Sequence, residues 1–106
     1  MNLIEEIAGR HAPSTTAVIS GDRRVSYGEL FQYAREISAV LPQIGRIPRV
    51  GLQCPNGVSY IVLSMGVLLA GACLVPLAEE LTHAERGEIA ATTALDFIVA
   101  ADELPW

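Results

Sequence analysis

No lysine occurs anywhere in these 106 residues. A P-loop needs a lysine on the phosphates and Schiff-base chemistry needs a lysine amine, so neither can be built from this chain. The basic side chains are seven arginines, spread singly except for Arg23–Arg24, and the formal charge is −5. With no basic stripe to neutralise phosphates, nucleic acid is not an expected partner. Anionic membrane surfaces are disfavoured for the same reason.

Cysteine and histidine are scarce as well. Cys54 and Cys73 fall at the end of one strand candidate and the start of the next. On neighbouring parallel strands they would lie roughly 15 Å apart at ~3.3 Å per residue, whereas a disulfide needs its Cα atoms within about 7 Å. Both are read as buried thiols in a reducing cytoplasm. His11 and His83 stand alone, without metal-ligand spacing to either cysteine, so no metal site is expected.

One long uncharged stretch exists, Val58 to Ala78, enough to cross a bilayer. Pro76 near one end, Gly66 and Gly71 inside, and no flanking Lys or Arg argue against a span. A buried helix and then a buried strand, broken at Gly71, fits it better, and no membrane partner is expected. At the amino terminus, Glu5 and Glu6 stand where a secretory signal would be basic and then apolar. No signal peptide is expected there, and with the thiols read as reduced a cytoplasmic location is expected.

What is present is a globular composition, 51% hydrophobic and 18% charged, apolar enough for a core and of one-domain length. Leu3, Ile4 and Ile7 give a short helical stripe. Thr16–Ser20 and Arg23–Tyr27 are extended runs joined by Gly21-Asp22, a hairpin pattern. Ser26-Tyr27-Gly28-Glu29 is a capping box, and the helix it opens carries Leu30, Ala34, Ile37 and Leu41 as one stripe before Pro42. Arg49–Cys54 reads as a strand, Pro55-Asn56-Gly57 as a turn, Val58–Ala70 as a helix packed on a sheet, and Cys73–Leu77 as a second strand. Thr82-His83-Ala84-Glu85 is another capping box, opening a helix to about Ala94, and Asp96–Ala100 is the last strand. Helix-length connections between apolar strands imply parallel pairing. The predicted fold is therefore α/β, a small β-hairpin followed by a β-α-β-α-β unit with parallel strands.

The search for chemistry in these residues returns little. Gly66 and Gly71 lie in or at the end of a helix, not in a phosphate loop, and no G-x-S-x-G elbow accompanies any serine. Ser26 is explained by its cap and has no base beside it. Tyr27 reads as packing against the hairpin, and His83 as a first-turn helix residue. Glu79 and Glu80 are adjacent on an extended segment and point apart, so a solvated loop is the simpler reading than a cation site. No catalytic, cofactor-binding or metal-binding residue is assigned.

Four segments carry a resemblance. Val25-Ser26-Tyr27-Gly28-Glu29-Leu30 resembles the "(L/V)-(T/S)-Y-x-E-L" segment near the start of the AMP-dependent synthetase and ligase superfamily, and Ala17–Arg24 resembles the hairpin that precedes it. Arg49-Val50-Gly51-Leu52 with Pro55-Asn56 is similar to "D-R-V-G-(L/I)…P-N-(S/G)", and Val67–Leu77 to "(I/L)-L-K-A-G-A-x-Y-V-P-L". They come in family order over about residues 14 to 100. Leu69 replaces a common lysine, Leu74 the usual tyrosine of peptide-synthetase adenylation domains, and Ala78-Glu79 a frequent Asp-Pro. These departures lean toward an acyl- or aryl-CoA ligase-like member.

The resemblance implies that residues 1–106 are the amino-terminal subregion of a larger, adenylate-forming domain. It also implies an ATP-dependent, AMP-forming acid–thiol ligase as parent, using ATP, Mg2+ and coenzyme A. The family's ATP-binding loop with its lysine, adenine-binding segment, ribose-binding aspartate and carboxy-terminal lysine fall later than this region, so no functional residue carries over. The isolated chain is expected to be inactive and to bind none of these cofactors. As the leading segment of such a ligase, with open strand edges, it should associate with the remainder of the enzyme or with itself. The alternative reading is a standalone binding or assembly module that complements a separate ligase chain.

Overall fold

The computed structural model describes residues 3–100. It contains α1 (Leu3–Ala8), β1 (Thr16–Ser20), β2 (Arg23–Ser26), α2 (Tyr27–Val40), β3 (Arg49–Gln53), α3 (Val58–Leu69), β4 (Cys73–Pro76), α4 (His83–Thr92) and β5 (Phe97–Ala100). β1 and β2 form the antiparallel hairpin. The other three strands form a parallel sheet of order β4-β3-β5, so β3, first in sequence, is central.

Side-chain alternation along β3 explains the layering. Val50, Leu52 and Cys54 point to one face, where they pack with Val67 and Leu63 of α3 and with Leu74, Phe97 and Val99 of the flanking strands. Each large aliphatic side chain buried there contributes about 1.5–3 kcal/mol. Gly51 and Gln53 point to the opposite face, where Leu77 and Leu95 lie over Gly51 and α4 approaches Gln53 through Arg86. That second layer is thin, and α4 has no buried residue.

α2 covers α3 from outside. A Cβ added at Gly66 would come 2.5 Å from Ile37 Cγ2 and 3.2 Å from the Ala34 carbonyl, so glycine is what lets the two helices approach this closely. The stripe expected on α2 is present, with Leu30 and Ala34 buried, but Phe31 is buried beside it. Both capping boxes form, Ser26 with Glu29 and Thr82 with Glu85. α3 stops at a Schellman motif, with Gly71 at φ 77, its N–H donating to the Leu68 carbonyl and the Ala72 N–H to the Val67 carbonyl.

One expectation is corrected. Cys54 is buried, but Cys73 is exposed. It opens the edge strand β4 opposite Arg49, itself exposed, and alternation turns it away from the face that Leu74 shares with α3. Among the described residues, no helix is long and apolar enough to cross a membrane.

Candidate functional site

The carboxyl edge of the parallel sheet lies between two diverging connections. β3 leads into α3 on one face and β4 leads into α4 on the other, and the crevice between such diverging connections is where open α/β sheets receive ligands. Here Gln53 fills it. Its side-chain amide nitrogen lies 3.0 Å from the Ala78 carbonyl, 3.3 Å from Glu79 and 3.2 Å from Leu81. Its Oε1 accepts from Arg86 Nη1 at 2.9 Å, and Arg86 Nη2 lies 3.1 Å from His83 Nδ1. Gln53 is 9% exposed. The network fixes the β4–α4 loop across the sheet edge and leaves the Gln53 amide saturated.

The helix that starts at this edge offers a poor cradle for phosphates. α3 begins after Gly57, without a side-chain cap hydrogen bond, and Val58 and Ser59 of its first turn are buried at 3% and 1% exposure. Arg86 is engaged by Gln53 and His83. These residues do not fit a nucleoside triphosphate, and no chemical step is assigned to them.

At the opposite, amino edge of the sheet sits a second polar cluster. Asp96 takes a bidentate interaction from Arg46, with Nη1 2.9 Å from Oδ2, and accepts from the Arg49 backbone N–H at 2.8 Å. The hydrogen bonds from Arg46 and from the Arg49 N–H hold the Asp96 carboxyl below the usual carboxylate range. Arg49 Nη1 also donates to the Thr93 carbonyl at 2.8 Å. This cluster ties the entry of β3 to the entry of β5.

The residues singled out from sequence are scattered. Ser26 caps α2 through Glu29. Tyr27 stacks on His11 with ring centroids 4.1 Å apart, rather than packing on the hairpin alone. His83 opens α4, and Glu79 and Glu80 are exposed in the loop that Gln53 holds. Gly66 lies at the α2–α3 contact and Gly71 at the end of α3. Among the described residues, no three His, Cys, Asp or Glu side chains gather as a metal set. Sequence reasoning missed Gln53, Arg86, Arg46 and Asp96. A glutamine ending an otherwise apolar strand was the one available signal, since a buried amide demands partners.

Comparison with known proteins fits this picture. The family described as AMP-binding enzyme matches residues 4–105. Salicyl-AMP ligase / salicyl-S-ArCP synthetase of Mycobacterium tuberculosis is 39% identical over 102 residues, covering 90% of this chain and 18% of that protein. Pyochelin synthetase PchE of Pseudomonas aeruginosa is 32% identical over 96 residues, covering 89% of this chain and 7% of its own. The NpsA N-terminal subdomain of Klebsiella oxytoca, solved with 3-hydroxybenzoyl-AMSN, shares the fold with a TM-score of 0.80 at 21% identity, over 97% of this chain and 26% of that one. The chain thus spans less than a fifth of the length of these two curated relatives. It belongs to the AMP-binding enzyme family, and its residues correspond to the amino-terminal part of the family's adenylate-forming domain.

Proposed function

We propose that residues 1–106 serve as a scaffold subregion of an acyl-adenylating, acyl-CoA synthetase-like ligase and contribute no catalytic residue to it. The complete enzyme would join a carboxylate to the α-phosphate of ATP, releasing pyrophosphate. It would then pass the acyl group to a thiol such as coenzyme A, releasing AMP. ATP, Mg2+ and the thiol would be held by other residues of the enzyme. The observation that carries this reading is the saturated Gln53 at the sheet's carboxyl edge in a chain that has no lysine.

The proposal extends to the setting. The thin α4 layer and the outer edges of β4 and β5 favour association with the remainder of the ligase, or self-association where that remainder is absent. A cytoplasmic location agrees with the exposed Cys73 thiol, which a reducing compartment would preserve. ATP–pyrophosphate exchange by the isolated chain tests the reading: no exchange above buffer is expected, and measurable exchange overturns it. Copurification with a ligase chain lacking this region would favour the alternative, a module acting in trans.

A further inference from the structure

Tyr27, Phe31, Arg35 and Ala39 recur every four residues along α2 and share one flank of it. At one end the His11 and Tyr27 rings stack within 2° of parallel, and Phe31 continues the series at a centroid distance of 6.4 Å. From Tyr27 to Ala39 this flank runs about 18 Å at 1.5 Å per residue. Two cavities open on it. One, of about 120 Å³, lies beside His11 and Tyr27. The other, of about 500 Å³, is walled by Ala8 of α1, Ser38 and Ala39 of α2, and Leu69 of α3. Ala8, Phe31 and Arg35 line both, so the two meet there.

The larger cavity has the volume of a small-molecule site, about 300–1,000 Å³. Its walls are mainly apolar, and at the junction stands Arg35, whose guanidinium makes no hydrogen bond or ion pair among the described residues. Glu5 also lines the larger cavity. Glu5 is already engaged in an interaction of its own, so the Arg35 guanidinium is the charge left to meet a ligand; a single guanidinium in a chain of net charge −5 suits one negative charge and disfavours polyanions.

We propose that the groove between α1, α2 and α3 binds small amphipathic monocarboxylates, with Arg35 taking the carboxylate and Phe31, Ala39 and Leu69 receiving the apolar body. This site lies on the helical flank of the sheet and does not depend on the adenylation reading. Guanidinium–carboxylate pairing can be bidentate, which fixes the head group while the apolar part sets orientation.

The test is titration of the 106-residue chain, followed by calorimetry and by amide chemical shifts, with 4-phenylbutyrate and octanoate as probes. 4-Phenylbutylamine and ATP serve as charge controls. Saturable one-to-one binding of the carboxylates is expected, with shifts at Phe31, Arg35 and Leu69, at least tenfold weaker binding of the amine, and none of ATP at this groove. Arg35→Gln, on an exposed helix face, should leave the melting temperature unchanged and weaken the carboxylates about tenfold, the scale of one charge-assisted hydrogen bond. Arg35→Lys should retain most of the affinity, and Ala39→Trp should fill the groove and abolish binding. No saturable binding, equal binding of amine and carboxylate, undiminished affinity in Arg35→Gln, shifts confined to another surface, or a groove buried by a second copy of the chain would each overturn the proposal.

Discussion

Arg86, in the first turns of α4, donates to the side-chain oxygen of Gln53, at the end of β3, across 2.9 Å. The two residues are 33 positions apart in sequence, and their contact joins the thin face of the sheet to its only covering helix among the described residues. Because the Gln53 amide nitrogen also faces three loop carbonyls, this single side chain holds both the loop and the helix that follows it.

Gln53→Leu should therefore destabilise the chain even though it adds apolar volume. It removes the partner of the Ala78, Glu79 and Leu81 carbonyls and of the Arg86 guanidinium; these groups are half-buried or exposed, so each lost hydrogen bond costs about 0.5–1.5 kcal/mol. Urea denaturation should show a loss of that order, and amide exchange should quicken in α4 more than in α3. Unchanged exchange in α4 would contradict the role assigned to Gln53.

Ala94 follows α4 with φ 53, a left-handed conformation that a side chain resists. Leu95 N–H donates to the Ala90 carbonyl at 2.9 Å, which completes a Schellman-type ending and sets Leu95 over Gly51. Ala94→Gly should stabilise the fold by about 0.5–1 kcal/mol, the relief of backbone strain less the added freedom of the unfolded chain. A lower denaturation midpoint in Ala94→Gly would argue against this ending.

Acid should weaken the chain through Asp96 and Glu85, whose carboxyls are both held below their ordinary values in the folded state. For Asp96 the Arg46 hydrogen bond is the largest cause and the Arg49 N–H the next; for Glu85 it is the Thr82 N–H. A depressed folded value means the contribution is fully present above the unfolded carboxylate range, near pH 4, and is lost as pH falls through the folded value. Denaturation midpoints measured from pH 7 downward should thus fall as the carboxylates protonate, and Asp96→Asn should flatten the slope while lowering stability at pH 7. Arg46 is shifted upward by the same pair and stays charged across this range.

The two thiols should differ in reactivity. Cys73 is exposed and Cys54 is buried, so one equivalent of a maleimide should add to the native chain at Cys73, and Cys54 should react only in denaturant. Labelling of both at equal rates would contradict the packing of Cys54 against Leu52 and Leu63.

The elements were legible in sequence because each carries its own local signal. Two capping boxes mark the starts of α2 and α4, Gly71 marks the end of α3, apolar runs mark β4 and β5, and Val50 and Leu52 mark β3. Parallel pairing followed from helix-length connections. The order β4-β3-β5 was not legible, since either side of β3 satisfies a parallel strand equally well before its faces are packed. Exposure of Cys73 was missed for a related reason: apolarity along a short strand does not reveal that its first residue stands at a corner. Gln53, Arg86, Arg46 and Asp96 escaped because their partners lie 25 to 50 residues away, where no periodicity links them.

The central claim is that this part of the adenylate-forming domain builds the sheet and leaves nucleotide handling to other residues. Calorimetric titration of the 106-residue chain with ATP and Mg2+ tests it most directly. The account predicts heats indistinguishable from dilution and an unchanged melting temperature. Stoichiometric, saturable binding with amide shifts clustered at Gln53, Gly57 and Arg86 would contradict it.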